Sequence, residues 1–74
     1  MSRKSKLKRE IKTCQKTIVE IERRRARSQS ALVQAILLQE EPNEDDVEWF
    51  NKYTGEITAC RTHMMELKKE LESL

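Results

Sequence analysis

Apolar residues recur through the first half of the chain at spacings of four and three: Leu7, Ile11, Cys14, Ile18 and Ile21. That rhythm predicts one buried face of an α-helix. The same face runs on through Arg25 and Ser28, which are polar, and recovers at Leu32 and Ala35. A second set, Ala26, Val33, Ile36 and Leu37, lies alongside. From Ala31 to Leu38 seven of eight residues are apolar, more than one stripe requires, so this end is expected to be covered on more than one side. Pro42 disfavours helical geometry at Glu41 and lacks a backbone donor, which predicts a break there. Asn43 is a good N-cap, and Glu44, Asp45 and Asp46 fill the next first turn, where a helix favours negative charge. A second helix follows, with Val47, Phe50, Ile57, Met64, Leu67, Leu71 and Leu74 on its apolar face and Thr54 and Arg61 in the polar gaps. Trp49, Tyr53 and Cys60 form a neighbouring stripe. Gly55 falls inside this helix, at a cost of about 1 kcal/mol relative to Ala; close approach of a neighbour or simple tolerance would explain it.

These elements predict an all-α fold, an antiparallel two-helix hairpin of coiled-coil type with its bend at Pro42-Asn43. Residues 1–74 form one unit: a basic, overhanging helix start at 1–12, helix 1 over 13–41, a turn at 42–43 and helix 2 over 44–74. A bend at that point pairs Ile36 with Phe50, Val33 with Tyr53, Ile21 with Met64 and Cys14 with Leu71, and leaves the first ten or so residues uncovered. Cys14 and Cys60 then lie about 18 Å apart along the hairpin, too far for a disulfide, whose Cα atoms sit within ~7 Å.

Composition agrees with helices. The 74 residues include one Gly, one Pro and three aromatics, and 38% are charged. A chain this short has a marginal core of its own. No apolar run approaches the ~20 residues of a membrane span, and the basic start is not followed by the apolar stretch of a secretory leader. The expectation is a cytoplasmic protein with no membrane partner. Charge is sharply polarised: residues 1–27 carry eleven Lys/Arg against three acids, 28–48 carry six acids and no base, and 49–74 carry four of each. Such asymmetry bears on partners and association.

Candidate chemistry is sparse. The single histidine, His63, has no nucleophile and carboxylate around it from which two helices could build a catalytic triad, so no enzyme, cofactor or small-molecule substrate is expected. Cys60 and His63 share a helix face, but a metal site takes three or four ligands; ordinary packing explains them. Arg23, Arg24, Arg25 and Arg27 form a dense cluster suited to electrostatic contact with nucleic acid. Against that, Glu20 and Glu22 stand at pairing distance on the same helix, and no aromatic interleaves these arginines in sequence. Trp49, Phe50 and Tyr53 gather every aromatic into five residues, a composition typical of interface anchors.

The second helix, with its acidic start, Trp49 about one turn in, Trp49-Phe50-Asn51 followed by Ile57-Thr58-Ala59, and a mixed apolar and charged final turn, resembles the E-component co-chaperones of type III secretion needle proteins over roughly residues 30–70. Members of that family are small helical hairpins. The resemblance implies a cytoplasmic protein that joins a helical-repeat chaperone and keeps a needle subunit unpolymerised. It also implies a partner surface built from Leu32, Ile36, Trp49, Phe50, Tyr53 and Ile57, to which the uncovered Leu37 is added. The functional expectation is thus a helical protein-binding module that packs against another helical protein or a second copy of itself. The alternative is a nucleic-acid-binding hairpin dimer.

Overall fold

The computed structural model describes residues 2–74, as two helices: α1 (Arg3–Leu37) and α2 (Glu44–Glu72). They run antiparallel in a rod of 54 × 17 × 16 Å. The all-α hairpin expected from the apolar spacing is therefore present.

Ser2 opens α1, accepting a hydrogen bond at its side-chain oxygen from the Ser5 N–H at 3.2 Å. Asn43 opens α2 in the same way, accepting from the Asp45 N–H at 2.8 Å. Both caps satisfy backbone donors that a helix start leaves free.

The end of α1 differs from expectation. The helix stops at Leu37 rather than at residue 41, and residues 38–43 make the connection. Gln39 adopts the left-handed conformation, with φ 55°. The Glu40 N–H reaches back to the Ala35 carbonyl at 2.9 Å and the Gln39 N–H to that of Ile36 at 3.1 Å. This is a Schellman cap, which closes the last turn by satisfying two otherwise free carbonyls. Pro42 follows in the connection, so it blocks resumption of helix rather than ending it.

On α1 the buried face is the one the spacing predicts. Leu7, Ile11, Ile18, Ile21 and Ser28 are buried, and Cys14, Arg25, Leu32 and Ala35 are half-buried. On α2 the face runs through Phe50, Tyr53, Ile57, Cys60, Met64, Leu67 and Leu71. Cys60, not Arg61, occupies the seam, and Leu74 is exposed. Two clusters form the core. Leu7, Ile11 and Leu67 pack with Cys14, Met64 and Leu71. Ile18, Ile21 and Ile57 pack with Tyr53, Cys60 and Met64.

The pairing register is thus displaced by about two helical turns from a bend centred on Pro42-Asn43. Ile21 shares a buried cluster with Ile57, and Arg25 reaches Thr54 across the interface. Nor does the start of α1 overhang: Leu7 is 3% exposed, and Arg3 forms an ion pair with Glu70. The gain is physical. Fully burying a Leu or Ile stabilises by roughly 1.5–3 kcal/mol, and this register encloses both Leu7 and Ile11. Its cost falls at the other end of the rod, where Ile36 and Leu37 lose their cover.

Candidate functional site

The connection between the helices is where the apolar surface is left open. Ile36, Leu37 and Leu38 are 74%, 76% and 57% exposed. They sit in the last turn of α1 and its Schellman cap, beyond the reach of the α2 seam. Val33, expected against Tyr53, is 48% exposed, and Ile36, expected against Phe50, faces water. Around this apolar tip stand Glu40, Glu41, Glu44 and Asp45, all exposed, with Asp46 half-buried. The tip is therefore greasy at its centre and negative at its rim.

The aromatic cluster splits. Trp49 is 46% exposed. It stacks on Tyr53 with ring centroids 5.4 Å apart and an interplanar angle of 23°, and the Lys52 ammonium lies 4.9 Å from the Trp49 ring centroid. Phe50 turns inward beneath the Arg25 guanidinium, whose carbon lies 5.5 Å from the ring centroid. Of the residues expected to meet a partner, Ile36, Leu37 and Trp49 are exposed, and Leu32, Phe50 and Tyr53 are half-buried. Ile57 is the most enclosed side chain of the described residues, at 1% exposure. It belongs to the core against Ile18 and Ile21 and cannot touch a partner while the hairpin is closed.

The arginine cluster splits as well. Arg25 enters the hairpin interface, donating from Nη1 to the Thr54 hydroxyl at 3.2 Å. Its Nε is buried without a partner. Glu22, expected to pair with neighbouring arginines on α1, lies instead 3.8 Å from Arg61 across the interface. Among the described residues Arg23, Arg24 and Arg27 have no ion pair. Arg24 and Arg27 border a shallow groove shared with Trp49, Tyr53, Asp45 and Asp46. Sequence spacing could not reveal this adjacency, because the aromatics reach the arginines only across the two helices.

No protein-family model, curated protein or solved structure matches the chain.

The remaining candidates are quickly placed. Cys14 and Cys60 are free thiols, each half-buried in a different apolar cluster. His63 is exposed. Among the described residues no three His, Cys, Asp or Glu side chains converge as a metal site, and no helix is long and apolar enough to cross a membrane.

Proposed function

We propose that this chain is a helical protein-binding module, an adaptor rather than an enzyme, whose apolar tip docks on another helical protein. One observation carries the reading: three large apolar side chains in succession, Ile36, Leu37 and Leu38, are all more than half exposed at one end of an otherwise well-seamed hairpin. An apolar patch rimmed by polar groups is the usual mark of an interaction surface. Trp49 adds a rigid aromatic anchor of the kind that dominates interface energetics. The resemblance of α2 to needle co-chaperones supplies the most specific form of the proposal, a cytoplasmic co-chaperone that joins a helical-repeat chaperone of a type III secretion system. The test is capture of such a chaperone by the purified chain, compared with Leu37→Asp and Trp49→Ala variants of unchanged helicity. Loss of capture by these variants supports the reading; retention by both would sink it.

A second reading has its own observation. Arg24 and Arg27, free of ion pairs, flank the Trp49–Tyr53 stack, an arrangement that suits phosphates beside a stacking face. Binding to single-stranded RNA or DNA at ~50 mM salt, weakening steeply as salt rises, would favour it. Absence of binding under those conditions would end it.

A further inference from the structure

A shallow groove crosses the tip of the rod beside the connection between the helices. Ala31, Ala35 and Leu38 supply its apolar side, and Glu40, Glu41 and Asp46 supply its acidic side. Leu38 is 57% exposed, and Leu37 next to it is 76% exposed. No Lys or Arg lines the groove. Among the described residues none of its three carboxylates has an ion pair. Arg24 and Arg27 lie in the neighbouring groove, which shares Asp46 but neither Glu40 nor Glu41.

Helix capping accounts for only part of this charge. Asp46 stands with Glu44 and Asp45 in the first turn of α2, where the helix dipole favours acids. Glu40 and Glu41 stand instead just past the C-terminal end of α1, where the dipole disfavours them. No basic residue in the last turn of α1 offsets them.

Building on the adaptor reading, we infer that the tip docks a basic amphipathic helix of another protein. The apolar row of that helix seats on Leu37 and Leu38. One of its Lys or Arg side chains lies in the groove, with its aliphatic stem along Ala31, Ala35 and Leu38 and its cation among Glu40, Glu41 and Asp46. Long cationic side chains cover apolar surface with their stems while the charged head stays in polar surroundings. Acids around an apolar patch select such a partner over a neutral or acidic one. Nucleic acids and anionic lipid surfaces carry the wrong sign for this tip. A second copy of this chain carries the right sign along the start of α1, but not the apolar row. Leu7, Ile11, Ile18 and Ile21 are buried in the seam there, and only Val19 is exposed.

The experiment follows the fluorescence anisotropy of two labelled synthetic helices, each of ~20 residues with the same leucine row. One carries arginine at its polar positions and the other glutamine. The full chain is titrated into each up to ~500 μM, at ~50 and ~500 mM salt. The arginine helix should bind at least ~10-fold more tightly than the glutamine helix, and lose that advantage at high salt, where exposed charges are screened. The double variant Glu40→Lys, Glu41→Lys should weaken binding of the arginine helix at least ~10-fold. It should melt no lower than the native chain, because cations suit a helix C-terminus, so a folding defect cannot explain the loss. The double variant Glu66→Lys, Glu72→Lys makes the same change of charge on exposed residues at the far end of the rod, and should shift binding less than ~3-fold. Equal binding of the two helices, no binding of the arginine helix at ~500 μM, or equal losses from the two double variants would each overturn the inference. Leu37→Ser keeps that failure distinct from failure of the adaptor reading. If charge has no effect but Leu37→Ser weakens both helices, the apolar tip remains a docking surface and only its basic partner is lost. Sedimentation equilibrium on the chain alone tests the other occupant: self-association that Glu40→Lys, Glu41→Lys abolishes would assign the tip to a second copy and overturn the inference.

Discussion

Gln39 holds a left-handed backbone conformation, φ 55°, that costs an L residue with a Cβ roughly 1–2 kcal/mol. Glycine takes that conformation without the penalty, and is the usual residue at this position of a Schellman cap. The Gln39→Gly variant is therefore expected to melt higher, by ~4–8 °C per kcal/mol gained in a domain of this size; a thermal melt followed by circular dichroism checks it. Gly55 presents the opposite case. It is exposed inside α2, and a Cβ added there meets nothing within 4 Å. Tolerance, not close approach of a neighbour, explains it, and Gly55→Ala should stabilise by about 1 kcal/mol. A loss of stability in that variant would show that something presses on the position. Arg25 lies between these extremes, with one guanidinium hydrogen bond made, the Phe50 ring beneath it and one buried N–H unpaired. A half-buried charge with incomplete partners adds little to stability. Arg25→Met keeps an apolar stem over Phe50 and should unfold at an equal or higher urea concentration than the native chain.

At the scale of the elements, the two helix starts are strongly determined and the end of α1 is not. Asn43 combines a side-chain cap at 2.8 Å with three acids in the first turn of α2. Removing the cap by Asn43→Ala should cost about 1 kcal/mol, read as a lower melting temperature without change in helical content at low temperature. At the other side of the connection, α1 has neither glycine nor a basic residue in its last turn. It ends where the backbone of residues 38–40 folds back on Ala35 and Ile36. Stopping at Leu37 leaves six residues, 38–43, to cross between the helices, and their length helps set the register.

For the whole molecule, register decides which apolar residues are core and which are surface. Leu7 is the diagnostic position. With a free, overhanging N-terminus, Leu7→Ala would be nearly silent. In the observed packing Leu7 is 3% exposed beside Ile11 and Leu67, and the truncation should cost about 2–5 kcal/mol. In so small a core that loss is expected to abolish the cooperative urea transition. The same register explains why one end of the rod is closed by Leu7, Leu67 and Leu71 while the other exposes Ile36 and Leu37. A two-helix rod has one shared seam, and this chain holds more apolar residues than one seam can enclose. The surplus falls at the tip and along the outer face of α1.

Local patterning alone determined the helical class, the start of α2 and the buried face of α1 from Leu7 to Ala35, because helical periodicity and capping act between residues close in the chain. It also singled out Leu37 and Trp49 as apolar side chains left over by the hairpin, but it placed Ile36 against Phe50, where the structure leaves Ile36 exposed. Only the tertiary structure decided the register, the placing of Cys60 rather than Arg61 in the seam, the enclosure of Ile57 and the adjacency of Arg24 and Arg27 to the Trp49–Tyr53 stack. Both choices on α2 satisfy a helical spacing, and what separates them is contact with α1. That contact depends on where α1 stops, and α1 stops at a backbone cap formed by residues whose side chains carry no strong stop signal.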